Sequence, residues 1–545
     1  MFEKRLPARP NLEQYKKQAK ELLRAHRAAE PEALERIKHR HPTLHKLPLA
    51  EIPAANFTLT DAQYILAREH SFDSWPKFAA YIETQHLIRT LADLPDPVSA
   101  FIEAACVPRH DSHGSGTLEQ AQLILQRYPQ VATANIHTAS ILADESTVKK
   151  LLAQNPDNAT SAGGPNNWDA LTHLCFSRYL RLDPTRSESF VNTARALLDA
   201  GASANTGWYE TIDHPNPRSV IESAIYGAAG IAQHPGLTRL LLERGADPND
   251  EETPYHVVET YDNTVLKIML ESGKFNQTSL NTILLRKSDW HDKRGIELAL
   301  KYGANPNQAT RWGFTALHQA LRRDNGLIII ELLLNHGADP TIETRDGRSA
   351  IHIATRRGRG DVLDLFVKRG FTKSLVEPIF YVEDPLDPFF AACARNDQAA
   401  LHAWTVKDLH LDPEAGTALA EFAGNANTEG VRNLLDRGVP VNALYSGDPY
   451  FDIARDSTAL HVAAWRAWPE TVKLLIARGA PINALDAKGR TPLALAVKAC
   501  VDSFWSYRRS PESVKALLEA GATTEGIKIP SGYDEVDALL RQCSG

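Results

Sequence analysis

The 545-residue sequence predicts an all-α solenoid of stacked helix pairs with a small helical segment in front of it. A chain of this length is too long to close around one core. Glycines recur at a near-constant interval: Gly303 to Gly337 is 34 residues, Gly337 to Gly370 is 33, and Gly370 to Gly438 is 68, two units of 34. Each closes the same pattern of an aliphatic helix and a short polar tail, as in I-E-L-A-L-K-Y-G-A-N-P-N (296–307), I-E-L-L-L-N-H-G-A-D-P-T (330–341) and V-K-L-L-I-A-R-G-A-P-I-N (472–483). A fixed period means that every unit buries its apolar side against its neighbours.

The glycine after the last helical turn suits the left-handed conformation that side chains with a Cβ resist, and the Pro or Asn beyond it turns the chain away. Longer intervals, 44 from Gly201 to Gly245, 41 from Gly438 to Gly479 and 42 from Gly479 to Gly521, each read as one unit plus an insertion of roughly eight to eleven residues. The intervals of 28 and 30 on either side of Gly273 read as trimmed units. Upstream of the aliphatic helices stand T-A-L-H-Q-A (315–320), S-A-I-H-I-A (349–354), T-A-L-H-V-A (458–463) and T-P-L-A-L-A (491–496). Thr315, Ser349, Thr458 and Thr491 suit a helix start, where a hydroxyl satisfies free backbone N–H groups.

This set resembles the T-P-L-H-x-A signature of ankyrin repeats, most sharply over 308–372 and 455–525 and less so over 166–307. The resemblance implies about 11–12 helix-pair units over 97–525, degenerate at 97–160 and 373–430, with 526–545 as a C-terminal capping segment. It also implies that His318, His352 and His461 serve a hydrogen-bond network between adjacent units, and that the concave face binds a protein partner.

Residues 1–90 form the leader. An amphipathic helix is predicted over 10–30, with Leu12, Tyr15, Ala19, Leu22 and Leu23 on one face, then a helix over 31–40 ended by Pro42. The span 60–84 reads as helix, tight turn and helix, with Phe72, Trp75 and Phe78 as packing anchors and Pro76 in a first turn. L-P-A-R-P, the Lys-rich helix and A-R-E-H-S-F-D-S-W make it similar to a leader found before some bacterial ankyrin-repeat proteins. Residues 1–46 hold 12 Lys/Arg against 6 Asp/Glu, whereas the whole chain carries −7. That local basic charge allows a nucleic-acid reading, set against one in which the helices cap the first repeat; the cap is preferred.

Signatures of chemistry are missing: there is no G-x-S-x-G, phosphate loop, dinucleotide fingerprint or H-E-x-x-H. The expectation is a protein without catalytic residues, metal or cofactor; the rival enzyme reading would need a site in the irregular 373–412 region. His39, His41 and His45, and His110, Asp111 and His113, lie close in sequence but lack helical ligand spacing. Five cysteines, Cys106, Cys175, Cys393, Cys500 and Cys543, show no C-x-x-C spacing, which fits a reducing cytosol. No signal-peptide core and no run approaching the ~18 apolar residues of a membrane span is present. A cytoplasmic location follows, with secretion into a host cell left open.

The candidate site is the stripe of inter-repeat turns and first-helix ends. Carried over from the family, these positions are Arg311, Trp312, Phe314, Arg322 and Arg323; then Arg345, Arg348, Arg356 and Arg357; then Trp465, Arg466 and Trp468, with Lys488 and Arg490 on the following turn. Arg and Trp bring large contact area and forked donors. A basic, aromatic stripe on an acidic molecule points to an acidic partner. The aromatic insertions at 206–218, 444–456 and 500–511 are further candidates.

Overall fold

The best-formed repeats consist of two short helices because a capping residue opens the first and a glycine ends the second. The computed structural model describes residues 4–7, 9–91, 93–109, 112–212, 218–371, 386–404, 415–503 and 509–543. In its best-formed repeat the helices span Ala316–Arg322 and Leu327–Asn335. The Thr315 hydroxyl accepts from the His318 N–H, and His318 Nδ1 accepts from the Thr315 N–H at 3.1 Å. Since Nδ1 is an acceptor, Nε2 carries the proton, and it donates to the Ile342 carbonyl at 2.9 Å. His461 repeats the arrangement, with Nδ1 accepting from Thr458 at 3.0 Å and Nε2 reaching the carbonyls of Ala484 and Arg490 at 3.1 Å. Burial, the largest influence on both rings, lowers their pKa and keeps them neutral. Gly337, at φ +84°, supplies the left-handed turn that stops the second helix.

The polar tail has a second use that the sequence pattern did not reveal. Asn307 donates to the Gly337 carbonyl at 2.7 Å and accepts from the Asp339 N–H at 2.7 Å, clamping one turn onto the next. Asn205 does the same to Gly245 and Asp247, and Asn483 to Gly521 and Thr523.

By internal contact the chain divides into Met1–Val257 and Val258–Gly545. The first unit opens with the leader, whose helices are α1 (Leu12–Arg27), α2 (Pro31–Arg40), α3 (Leu59–Glu69) and α4 (Trp75–Thr90). Asn11 caps α1, a Thr58–Asp61 capping box opens α3, and Ser74 caps α4. Ala19, Leu22, Ile37, Ile52 and Ile65 make one core, while Tyr15 and Phe78 pack edge to face at 5.0 Å in another. Leader cations are drawn inward: Lys4 and Arg36 both pair with buried Glu69 at 2.8 Å, and Arg40 donates to the Arg68 carbonyl at 3.0 Å.

Helix pairs follow at Pro97–Ala105 with Glu119–Arg127, Ile136–Ile141 with Glu145–Gln154, and Ala170–Cys175 with Ser187–Asp199, so the degenerate stretch 97–160 holds paired helices as well. In the second unit, pairs run from Gln277–Asp289 with Lys293–Lys301 to Pro492–Val501 with Glu512–Glu519, followed by Asp534–Cys543. The irregular region contributes Asp387–Arg395 and Gln398–Leu401; within 373–412, residues 373–385 and 405–412 lie outside the described residues. Among the described residues no helix is long and apolar enough to cross a membrane.

The insertion at 206–218 forms the one sheet among the described residues: β1 (Gly207–Ile212) pairs antiparallel with β2 (Arg218–Ser223), Trp208 opposite Glu222. Trp208 is buried and stacks on Trp168 at 4.2 Å, while its neighbour Tyr209 points to solvent, as strand alternation demands. Glu222 is buried beside further carboxylates. Burial first, then the charges of Glu252, Glu210 and Asp250, push its pKa up to about 8.

A carboxyl that titrates higher in the folded than in the unfolded chain stabilises the fold fully below its ordinary pKa, and that contribution is lost as pH rises through about 8. The Met1–Val257 unit should therefore lose roughly 2–4 kcal/mol of stability between pH 5 and pH 9. Thermal unfolding across that range should show a falling midpoint, and Glu222→Gln should flatten the slope; an equal slope in both proteins would refute the assignment.

Candidate functional site

In the second unit, arginines gather where successive first helices end, a place where cations also complement the helix dipole. Helix Ala316–Arg322 ends in Arg322 and Arg323, helix Ala350–Arg356 in Arg356 and Arg357, and helix Ala459–Trp465 is followed by Arg466. Two of them, Arg357 and Arg466, converge on Asp324, a residue at φ +54° whose side chain is 3% exposed. Arg357 donates to it through two parallel bonds of 2.8 Å, and Arg466, 142 residues away, donates to Oδ2 at 2.9 Å. Burial alone would raise the Asp324 pKa, but Arg357 and Arg466 outweigh it and hold the carboxyl well below the usual range. Arg357 also reaches Glu421 at 3.2 Å, which accepts from the Tyr445 hydroxyl at 2.5 Å. Burial and then Asp324 act on Glu421 in the other direction from Arg357, and its pKa ends raised.

The flanking arginines are likewise engaged. Arg356 pairs with Asp387 at 2.7 Å, lies over Phe390 at 4.4 Å, and shares Asp387 with His352 Nδ1 at 2.6 Å. Arg323 pairs with Asp289 at 2.8 Å and lies over the Tyr450 ring at 3.4 Å. Arg466 also lies over Phe451 at 4.5 Å.

The structure therefore corrects part of the expected exposed stripe. Arg357, Trp465 and Arg466 lie in the interior, because acids from other repeats and the 444–456 insertion come to meet them. Trp465 donates its indole N–H to the Phe451 carbonyl at 2.6 Å, and half-buried Trp468 donates to the Gly424 carbonyl at 2.7 Å. Arg311 and Arg345 are exposed, the former over Trp312 at 4.6 Å, and Arg348 is half exposed, 3.3 Å from Asp346. Lys488 and Arg490 are tied to Asp452.

Phe314, Arg322, Arg348, His352, Arg356 and Glu421 line a cavity of about 390 Å³, which Ser446 of the insertion also borders. Arg322 lies 4.0 Å above the Phe314 ring and has no carboxylate partner among the described residues; its polar contact is Gln319 Oε1 at 3.4 Å. Burial, followed by the charges of Arg323 and Arg357, lowers its pKa, although a guanidinium stays charged at any physiological pH. This arginine is short of an anion.

Asp289, Asp324, Asp387 and Glu421 were missed from the sequence, although Asp289 stands 34 residues before Arg323 and Asp324 stands 33 before Arg357, one repeat period in each case. The 142 residues from Asp324 to Arg466 follow no period, so no pattern marked that contact. Of the other candidates, Phe504, Trp505, Tyr507 and Arg508 in the third insertion and His110 and Asp111 lie outside the described residues. His41 sits 3.2 Å from Asp61, and His113 meets the Tyr226 hydroxyl at 2.9 Å. Among the described residues no group of three or more His, Cys, Asp or Glu is placed to hold a metal ion.

A family model for ankyrin repeats matches residues 289–376 and 441–526. No curated protein matches the chain. Among solved structures, the crystal structure of the human ASB11 ankyrin repeat domain is similar at 21% identity, covering 50% of this chain and 98% of that one, with a TM-score of 0.23.

Asp324→Asn keeps a residue that tolerates positive φ but removes the charge, leaving two buried guanidiniums facing each other. It should lower stability by about 3–5 kcal/mol, read as a fall in the urea midpoint. A midpoint within error of the parent would show that the cluster contributes nothing net.

Proposed function

We propose, on the premise that this is an ankyrin-repeat protein, that it acts by binding an acidic protein segment on the concave face of its second unit rather than by turnover. Ankyrin repeats mediate protein–protein interaction, and the first-helix and turn positions here carry the residues suited to it. The observation that carries the reading is Arg322, held over Phe314 in a cavity it shares with Arg348 and lacking a carboxylate of its own. A partner carboxylate seated there replaces the missing anion in a partly desolvated site, where a charge-assisted hydrogen bond is stronger than in water. Exposed Arg311 and Arg345 extend the cationic surface beyond the cavity and steer an acidic segment toward it.

We assign the leader to capping. Thr84 of α4 donates to Glu119 at 2.8 Å, so leader and first repeat are joined by a direct bond. Because several leader cations are spent on Glu69 and on backbone carbonyls, this basic segment offers nucleic acid less than its composition suggests. The buried free thiols Cys106, Cys175, Cys393 and Cys500 support a reducing, cytosolic setting.

Selection of a random displayed peptide library on the purified protein tests the proposal. Enriched peptides should be rich in Asp and Glu, weaken with added salt, and bind at least tenfold less tightly to an Arg322→Glu, Arg345→Glu, Arg348→Glu variant of unchanged circular dichroism. Peptides without acidic bias, or indifferent to that variant, would overturn it.

A further inference from the structure

The insertion between helices Thr428–Asp436 and Ala459–Trp465 folds back on itself, with bridges at Tyr445–Ser457 and Asp448–Ile453. Gly447, at φ +91°, permits the close approach of its arms: a Cβ there would lie 2.8 Å from the backbone of Ala454 and Arg455. The later half of its turn is anchored: Phe451 and Ile453 are buried around Trp465, and Asp452 is held by Lys488, by Arg490 at 3.0 Å and by Lys498 at 2.9 Å.

One side chain of the turn is different. Tyr450 is 37% exposed and reaches across to the first helices of earlier repeats, where its hydroxyl donates to the Asp289 carbonyl at 2.8 Å, 161 residues away. The Arg323 guanidinium covers its ring at 3.4 Å. Two residues before it, Asp448 caps the turn by accepting from the Tyr450 N–H at 3.0 Å. The turn thus offers an aromatic ring to Arg323, which follows Arg322 at the end of one helix. These contacts leave Tyr450 partly exposed, whereas Phe451 beside it is buried.

We propose that the Tyr450 side chain is a ligand supplied in cis: it occupies the Arg323 end of the face a partner uses, and the acidic partner segment that displaces it carries a tyrosine in its place. The proposal rests on the concave-face reading above and specifies its ligand. Partner binding is then a competition between an intramolecular tyrosine at high effective concentration and a free segment at low concentration, so affinity is set by how firmly that tyrosine is seated.

The test uses the full chain and a fluorescein-labelled peptide of residues 444–455, read by anisotropy. Tyr450→Ala, which spares buried Phe451 and Ile453, should bind the peptide at least tenfold more tightly than the parent, in which the Tyr450 side chain competes. Tyr450→Phe, which loses only the bond to Asp289, should fall between them and guards against a folding defect in the alanine variant. Adding Arg323→Glu to Tyr450→Ala, or replacing the peptide's tyrosine by alanine, should return binding to the parental level or below. Equal affinity of parent and both variants, absence of binding to folded variants, or binding indifferent to the peptide's tyrosine overturns the proposal. If the selected acidic peptides still depend on Arg322 and Arg348 while these variants show no gain, the concave site stands and the cis ligand falls; if both fail, the site itself is wrong.

Discussion

A carboxylate withdrawn from water persists in charged form only where cations and donors replace its hydration, and Asp324 is the point at which the second unit meets that condition. Its two guanidinium partners come from the next repeat and from one much farther along the chain. Other features are arranged around this requirement. Arg357 continues to Glu421 and Tyr445, which opens the insertion, and Arg466 leans on Phe451 in the insertion's turn. The arginines are attached to helix ends that the repeat places in a row, and Asp289 and Asp324 stand 34 and 33 residues before Arg323 and Arg357, so the periodic part of the fold delivers both. Glu421 and Arg466 come from farther along the chain.

That division explains what was readable in advance. Thr315, His318 and Gly337 act within one repeat or between neighbours, so their roles recur at the repeat interval and are visible as pattern. The arginines recur too, and their position on the first-helix face was legible. Asp289 to Arg323 and Asp324 to Arg357 also lie one period apart but were overlooked, and Asp324 to Arg466 is a contact at a separation unrelated to the period. Position within the repeat therefore marked Arg357 and Arg466 as surface cations when they are interior ones. The insertion at 206–218 was legible as an insertion, while the alternation Trp208 inward, Tyr209 outward was too short to announce strands against a helical background.

The two units solve the cost of buried charge in opposite ways. Around Asp324 the carboxylate stays ionised because two arginines are brought to it. Around Glu222 carboxylates crowd together, and the energetically cheaper state is the protonated one. The first arrangement depends on distant residues arriving in the right place. The second depends on the proton concentration, and on a hairpin that carries Trp208 and Glu222 on opposed strands.

A stack held only by neighbours behaves as a one-dimensional chain of nearly independent links, fraying from its ends and folding outward from any link that forms first. The bond between Asp324 and Arg466 breaks that locality within the second unit. Repeats that never touch as neighbours share one cluster, so the segment between them must close as a loop before either end is complete. Closure of so long a loop costs conformational entropy and slows folding, as contacts distant in sequence do in other proteins. In return, opening at one repeat exposes buried charge at another, and the enclosed repeats are bound to a common fate. A string of modules has become a single cooperative block.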